Sequence, residues 1–282
     1  MKTVVVTAVH GRHSHLRNQI RGIARSAQAA DRHVIVALGD PDIASVVRQE
    51  EYAAQVVDFP ARAPLPLAAA RNAGARSALS AGAELLVFLD VDCIPSPELV
   101  GRYRRVAAAP EHRGALLCGP VTYLPPAGPG GYDLTALDRM VRPHPARPHP
   151  PDESVEPSTD YALFWSLSFA VGADAWERVG GFCEQYVGYG GEDTDFARCA
   201  AAAGVPMRWV GGAHAFHQHH PVEDPPVRHL HDIVRNACIY HRRWGTWPMG
   251  GWLDAFEGLG LIMRGPDGTP QLQPGAVATD VG

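Results

Sequence analysis

The chain has 282 residues, of which 46% are hydrophobic and 20% are charged, and its formal net charge is −5. This length allows one large α/β domain or two small ones, with a substantial core, and the composition is that of an ordinary globular protein. The acidic balance argues against a nucleic-acid-binding protein.

Strand-like and helix-like stretches alternate along the first third of the chain. Apolar runs at residues 3–9, 33–40 and 54–59 predict strands, and the stretches 14–27, 41–50 and 66–83 predict helices. The apolar run that starts at Glu84 predicts a further strand that ends in Asp90 and Asp92. This alternation predicts a single-domain α/β fold with a mostly parallel, Rossmann-like sheet and helices on both faces.

The middle of the chain changes in character. Residues 125–157 contain nine prolines, which predicts a long, partly mobile excursion around one short helix at 133–141. The pattern of a packed domain returns afterwards, with core residues at 162–182, helices at 193–204 and 227–245, and a strand at 205–212. We expect the Pro- and Gly-rich tail beyond about Arg264 to be disordered.

The cysteines and the apolar stretches indicate the compartment. Five widely spaced cysteines without a Cys-x-x-Cys pair are typical of a reducing cytoplasm rather than of a disulfide scaffold or a zinc cluster. The apolar N-terminal run leads into Gly11 and Arg12, so it predicts a first strand rather than a signal peptide. The most apolar stretch, residues 162–173, is shorter than the roughly 20 residues that span a bilayer. The sequence leaves open whether the protein contacts a membrane surface peripherally.

Asp90 and Asp92 form an Asp-x-Asp pair at a predicted strand end, and Asp40 ends another strand. Ligands of open α/β sheets bind beyond the carboxyl ends of the strands. Two carboxylates on one face suit a hard divalent cation held together with a diphosphate. The alternative is a pair of solvated aspartates that begin a loop. The five apolar residues before Asp90 favour the ligand site.

Four histidines are clustered in the stretch HAFHQHH: His214, His217, His219 and His220. Neutral imidazole is a common metal ligand, so one of them could complete a site that Asp92 begins. His217 is favoured because an extended chain could return it to the carboxyl edge of the sheet. For each histidine taken alone, a polar surface loop is the competing interpretation.

Three acidic residues, Glu192, Asp193 and Asp195, follow a run of glycines in the stretch VGYGGEDTDF. Glycines let a loop pack closely beneath a ligand, and a carboxylate near a metal site can act as a general base. The competing interpretation is an acidic helix start, which the helix dipole favours.

In this order along residues 3–245, the stretches TAVHGR, VALGD, ARNAG, FLDVDC, GYGGEDTDF and HAFHQ resemble the GT-A fold glycosyltransferases. More narrowly, the chain resembles family 2-type bacterial enzymes that share a C-terminal segment with the β-1,4-galactosyltransferases. The resemblance implies an inverting, metal-dependent glycosyltransferase that uses a nucleotide sugar, with UDP as the default nucleotide and Mn²⁺ or Mg²⁺ as the metal.

The resemblance also implies roles for individual residues. Asp193 matches the catalytic base, Asp92 and His217 match metal ligands, and His214 stands where the galactosyltransferases have a methionine ligand. The nucleotide-sugar residues are Thr7, Arg12, Asp40, Arg71 and Asp90, and the acceptor residues are Tyr189, Gly191 and Glu192. On this basis we expect a nucleotide-sugar half at 1–120, the excursion at 121–160, an acceptor half at 161–262 and the tail at 263–282.

Two other functions stay open. A sugar-phosphate nucleotidyltransferase would carry a Gly-x-Gly-Thr-Arg loop after its first strand, and VHGRHSH does not supply one. A non-catalytic GT-A domain would bind nucleotide sugars without turnover, although Asp92, Asp193 and His217 are all present. The acceptor could be a small metabolite, a lipid-linked sugar or a peptide-derived cofactor.

Overall fold

A computed structural model describes residues 1–275 and contains an eight-stranded sheet in the order β3-β2-β1-β4-β9-β6-β10-β8. The strands are β1 (Thr3–Val9), β2 (Arg32–Leu38), β3 (Gln55–Phe59), β4 (Leu85–Leu89), β5 (Cys93–Pro95), β6 (Leu116–Cys118), β7 (Val121–Tyr123), β8 (Val155–Ser158), β9 (Ser168–Gly172), β10 (Met207–Val210), β11 (Ala215–His217), β12 (Ile262–Arg264) and β13 (Pro270–Leu272). The helices are α1 (His13–Ala24), α2 (Ile43–Gln49), α3 (Leu67–Ser80), α4 (Leu99–Ala108), α5 (Ala173–Val179), α6 (Glu192–Ala202), α7 (Leu230–Trp244) and α8 (Gly250–Gly258).

The large sheet is mostly parallel, as the alternating sequence pattern predicts. Strands β3, β2, β1, β4, β6 and β10 run in one direction, and β9 and β8 run in the other. Helices cover both faces because successive side chains of a strand point to opposite sides. Val4 and Val6 of β1 belong to the apolar cluster that includes α3, whereas Val5 packs with residues of α4.

Helix α3 lies unusually close to the sheet at Gly74. A Cβ atom at this position would lie 2.4 Å from Cγ1 of Val6, so any larger residue would push the helix outward. Close packing against the sheet therefore explains why a glycine stands inside a helix that is otherwise rich in strong helix formers. The close approach also sets the position of Arg71, one turn earlier in α3.

The strand that carries the Asp-x-Asp pair ends earlier than the sequence predicts. Strand β4 stops at Leu89, and the backbone N–H of Cys93 donates to the carbonyl oxygen of Asp90 at 2.8 Å, which closes a turn. The chain then enters a second sheet of order β5-β11-β7. Asp90 and Asp92 therefore lie in a turn between two sheets, and the expectation of a continuous strand face is wrong.

Two further predictions need correction. The helix predicted at 133–141 is a single 3₁₀ turn at Leu137–Met140, fixed by Leu137, which packs against Ile94 and Phe216. The tail expected to be disordered from 263 forms the β12–β13 hairpin, because Ile262 packs with α7 and α8. The rest of that tail, residues 276–282, lies outside the described residues.

Within residues 1–275, no helix combines the length and apolar content that crossing a bilayer requires.

Asp195 joins helix α6 to the end of helix α7. Its side chain is fully buried, and Oδ1 accepts hydrogen bonds from Arg243 Nε at 2.7 Å, Trp244 Nε1 at 2.7 Å and Tyr186 Oη at 3.2 Å. A buried carboxylate needs such partners because its charge is costly to desolvate. These contacts fix the first turn of α6, which carries Glu192 and Asp193.

We expect Asp195→Asn to lower the free energy of unfolding by about 2 kcal/mol, because a neutral amide weakens the charge-assisted hydrogen bond that the buried carboxylate accepts from Arg243. Urea unfolding of the variant and the parent chain measures the difference. Asp58→Asn is the matched control, since Asp58 is exposed on β3 and should change stability by less than about 0.5 kcal/mol. Equal stability losses in both variants would contradict the structural role of Asp195.

Candidate active site

Asp92, His217 and His220 form a compact group at the carboxyl edge of the sheet. His217 Nε2 lies 3.6 Å from Asp92 Oδ1, and His220 Nε2 lies 3.6 Å from Asp92 Oδ2. All three possible ligand atoms lie within 4.8 Å of one another. The pairing of β5 with β11 produces this group, because Cys93, next to Asp92, stands opposite His217.

The chemistry of this group suits a divalent cation. His217 is 8% exposed, and burial lowers the pKa of its imidazole, so the neutral, metal-binding form is favoured. Two imidazole nitrogens and one carboxylate are a ligand set for a divalent transition metal. The residues therefore fit the cation that the sequence resemblance implies.

Arg12 approaches the same carboxylate from the first loop. Its Nη1 lies 2.9 Å from Asp92 Oδ2. Asp40 fixes that loop, because its Oδ2 accepts from Gly11 N and lies 2.9 Å from His13 Nε2. Burial raises the pKa of Asp40, but hydrogen bonds from His13, Gly11 and Asp42 outweigh it and lower the pKa overall. Arg12 and Asp40 thus lie at the edge where the sequence predicts nucleotide contacts.

Arg71 connects the Asp-x-Asp turn to the acidic corner, which consists of Glu192, Asp193 and Asp195 in the first turn of α6. Arg71 is only 6% exposed, and its guanidinium nitrogens lie 2.9 Å from Asp90 Oδ1 and 3.2 Å from Glu192 Oε1. Its carbon Cζ also lies 5.3 Å from the ring centre of Phe182, a cation–π distance. The structure therefore brings together two carboxylates that are about 100 residues apart in the chain.

Glu192 and Asp193 begin helix α6 directly after Gly191. Gly191 has φ = 94°, and a Cβ there would lie 3.0 Å from the ring of Tyr186, so both conformation and space require glycine. Burial, followed by the charge of Asp193, raises the pKa of Glu192 to about 7. Burial also raises the pKa of Asp193, against a 2.7 Å hydrogen bond from the backbone N–H of Thr194.

Helix α7 positions the glycine loop in front of α6, which the sequence did not indicate. The fully buried Asn236 places Nδ2 within 3.1 Å of the carbonyl oxygens of Val187, Tyr189 and Gly190. Asp232 accepts from the backbone N–H of Tyr189 at 3.2 Å. A polar Asn on the otherwise apolar face of α7 was the signal that could have identified this contact.

Tyr189 presents its ring beside the acidic corner. The side chain is 40% exposed, and its ring stacks on His229 with centroids 4.4 Å apart and planes 13° apart. An exposed aromatic face next to carboxylates is a typical surface for a sugar ring, since apolar C–H groups pack on the ring while hydroxyls reach the oxygens.

Two predicted site residues lie apart from these groups. Thr7 is fully buried, with its hydroxyl 2.9 Å from Gln19 Oε1 and 3.1 Å from the carbonyl oxygen of Leu89. His214 lies outside the Asp92 group, with Nε2 2.8 Å from Thr122 Oγ1, and burial lowers its pKa to about 4. The nucleotide-sugar contact predicted for Thr7 and the metal-ligand role predicted for His214 stay predictions.

Sequence comparison finds relatives among sugar-transferring enzymes. Residues 151–221 match the family model described as the N-terminal domain of galactosyltransferase. The chain is 30% identical over 172 residues to validoxylamine A glucosyltransferase from Streptomyces hygroscopicus subsp. jinggangensis (strain 5008). That alignment covers 50% of this chain and 36% of the relative, so the chain spans about a third of the length of the curated relatives it matches.

Comparison with solved structures shows that this chain shares its fold with TarS, PcManGT and GalNAc-T7. TarS 1-349 from S. aureus superposes with a TM-score of 0.57 at 13% identity, covering 92% of this chain and 79% of TarS. The mannosyltransferase PcManGT from Pyrobaculum calidifontis, in complex with GDP-Man and Mn²⁺, superposes with a TM-score of 0.52 at 16% identity, over 88% of this chain and 66% of that one. GalNAc-T7 with UDP, GalNAc and Mn²⁺ gives 0.56 at 13% identity, over 86% and 50%.

The raised pKa of Glu192 predicts how stability depends on pH. Between pH 4.5 and about 7 the folded chain holds the Glu192 proton while the unfolded chain has released it, so stability falls as pH rises through this window. Glu192→Gln has no proton to lose, and we expect it to be more stable than the parent at pH 8 by on the order of 2 kcal/mol, but not at pH 4.

Melting temperatures measured from pH 4 to 8.5 check this expectation. Glu177→Gln is the matched control, because Glu177 is exposed on α5. A stability difference between Glu192→Gln and the parent that does not vary with pH would mean that Glu192 titrates normally in the fold.

Proposed function

From the GT-A glycosyltransferase fold of this chain and the geometry of its carboxyl edge, we propose that it transfers a sugar from a nucleotide-sugar donor to an acceptor hydroxyl with inversion. The main support is the Arg71 bridge, which holds Asp90 on the predicted donor side against Glu192 on the predicted acceptor side. Asp193 is the proposed general base.

The proposed chemistry needs one proton acceptor. The acceptor oxygen forms a bond to the anomeric carbon as the bond from that carbon to the diphosphate oxygen breaks, and Asp193 takes the hydroxyl proton. Burial that raises the pKa of Asp193 makes it a stronger base. A single base on the face opposite the leaving group gives inversion of the anomeric centre.

Asp92, His217 and His220 would hold a divalent cation. Mn²⁺ is favoured over Mg²⁺, because imidazole suits transition metals and Mg²⁺ prefers oxygen ligands. When bound, such a cation neutralises negative charge on a leaving diphosphate. Two of the similar solved structures contain Mn²⁺ together with a nucleotide, which supports the same choice.

The remaining residues have binding roles. Arg12 is the proposed diphosphate contact, since it is exposed enough to reach a ligand beside Asp92. Tyr189, Gly191 and Glu192 form the proposed acceptor surface next to Asp193. UDP is the proposed nucleotide, because TarS and GalNAc-T7 are described with UDP-GlcNAc and UDP, whereas PcManGT is described with GDP-Man.

Release of nucleoside diphosphate tests the reaction. UDP-sugars and GDP-sugars are incubated with the chain and Mn²⁺, and water serves as the acceptor where no other is supplied. We expect Asp193→Asn to slow release by at least about 10²-fold, because the base is lost. Donor binding, measured as a rise in melting temperature, should be retained.

Asp174→Asn is the control for this experiment, since Asp174 is an exposed acidic residue in the first turn of α5. Parental turnover by Asp193→Asn would contradict the base assignment. Release of pyrophosphate instead of nucleoside diphosphate would favour a nucleotidyltransferase.

Direct Mn²⁺ binding, measured by electron paramagnetic resonance, identifies which histidines are metal ligands. We expect His217→Ala and His220→Ala each to weaken Mn²⁺ binding by at least about 10-fold, because loss of a direct ligand costs no less than loss of a group that only orients one. His219→Ala is the matched control, because His219 is the exposed neighbour of His220 and lies outside the group. If His214→Ala weakens binding and His220→Ala does not, the ligand set implied by the sequence resemblance holds instead.

A further inference from the structure

Gln218 stands between His217 and His220 in the chain, and its side chain reaches helix α1. The residue is only 1% exposed. Its amide Nε2 donates to the carbonyl oxygen of His15 at 3.1 Å, and its Oε1 accepts from Asn18 Nδ2 at 2.8 Å. Because a carbonyl oxygen can only accept, these two partners fix which way the amide points. The side chain of Gln218 therefore binds α1 through both ends of its amide.

Gln19, on helix α1 itself, makes the corresponding contact with the Asp-x-Asp turn. The residue is fully buried, and its Nε2 donates to the carbonyl oxygens of Asp90 at 2.7 Å and of Cys93 at 3.1 Å. These two carbonyl groups lie on either side of Asp92 in the chain. Its Oε1 accepts from the Thr7 hydroxyl at 2.9 Å. Both N–H bonds of one amide thus span the turn that carries the Asp92 carboxylate.

Helix α1 also contacts Asp92 and His220 more directly. Arg12, which precedes the first turn of α1, lies with Nη1 2.9 Å from Asp92 Oδ2. The ring of His15 stands edge-on to that of His220, with centroids 6.4 Å apart and planes 68° apart. We call Asp92, His217 and His220 the metal-ligand group. Every member of this group is connected to α1, either directly or through a residue beside it in the chain.

Two buried amides in this position need a physical reason. Burying an amide is costly unless both of its ends are hydrogen-bonded, and an apolar side chain of similar size would fill the space without that cost. A buried polar network in which every amide is bonded is rigid and favours a single arrangement. Residues that orient metal ligands in this way contribute to metal affinity without touching the ion.

We propose that Gln218 is a positioning residue of the metal-ligand group, and that Gln19 is its counterpart on the other segment. Together the two amides hold Asp92 and the two histidines against α1, in the arrangement that receives a divalent cation. This inference rests on the proposed metal role of the group. The hydrogen bonds on which it depends can be tested separately, in the metal-free chain.

Mn²⁺ binding to the full chain, measured by electron paramagnetic resonance, tests the proposal. Gln218→Met approximately keeps the side-chain volume and removes both hydrogen bonds to α1. We expect the dissociation constant for Mn²⁺ to rise about 10-fold, the lower end of the losses that follow replacement of residues that orient metal ligands. An unchanged constant in Gln218→Met would overturn the proposal.

Leu253→Ala is the control for a general loss of stability. Leu253 is buried on α8, where its truncation leaves a cavity away from the metal-ligand group. We expect this variant to melt at a lower temperature than the parent and to bind Mn²⁺ with the parental constant. If Leu253→Ala weakens Mn²⁺ binding as much as Gln218→Met does, the effect of Gln218 is general destabilisation and the proposal fails.

Asn18→Leu removes the same connection from the helix side. We expect a smaller rise in the dissociation constant, because the bond from Gln218 to the His15 carbonyl group stays. The double variant should match Gln218→Met alone, since both substitutions act through one contact. Losses that multiply in the double variant would contradict this route. If Gln218→Met does not fold, Asn18→Leu serves alone, and an unchanged constant there overturns the proposal.

Hydrogen exchange of the metal-free chain distinguishes this proposal from the proposed function. The backbone N–H of Gln218 donates to the carbonyl oxygen of Asp92. We expect Asn18→Leu to accelerate exchange of this N–H by about 5-fold relative to that of Val6 in β1, because the segment opens locally. Equal changes at both positions would overturn the positioning role. A parent chain that does not bind Mn²⁺ would instead contradict the proposed metal site, whatever the exchange result.

Discussion

The ion pairs of Arg71 are the interaction on which the candidate site depends. Without that guanidinium, Asp90, Glu192 and Asp193 would place like charges together in a buried region, at a cost of several kcal/mol. Burial opposes the charge of Arg71, but Asp90 and Glu192 outweigh it and raise its pKa above the ordinary value. The position of Arg71 depends in turn on Gly74, which lets α3 approach Val6 of the sheet. One packing contact in the core therefore sets the geometry of the carboxylates.

The second sheet supplies the other half of the site. Strand β5 leaves the turn that contains Asp90 and Asp92, and it pairs with β11 so that Asp92 lies beside His217. The backbone N–H of Gln218 donates to the carbonyl oxygen of Asp92 at 2.7 Å, which holds the two segments together. His220 then returns to the same carboxylate two residues later. The group thus arises from a strand pairing between residues more than 100 positions apart.

Local patterns in the sequence predicted the sheet, its helices and the strand-end carboxylates, because these depend on periodicity and on polar residues after apolar runs. The other features of the fold and the site depend on contacts between segments that are distant in the chain. The turn after Leu89, the choice of His220 rather than His214 beside Asp92, and the β12–β13 hairpin all require knowledge of which segments meet. The contacts of Asn236, Arg243 and Trp244 also depend on long-range pairing. The apolar face of α7 predicts the helix but not which segments these polar residues contact.

The acidic start of α6 is stable because a different set of groups stabilises each carboxylate. Asp195 is bound by Arg243, Trp244 and Tyr186, and Glu192 by Arg71. Asp193 accepts from the backbone N–H of Thr194 at the helix start, where the dipole also favours negative charge. With a pKa of about 7, Glu192 holds its proton for much of the time at neutral pH, which reduces the repulsion on Asp193. Burial raises the pKa of both adjacent carboxyl groups, and Asp193, which forms no ion pair with Arg71, is the one proposed to accept the proton.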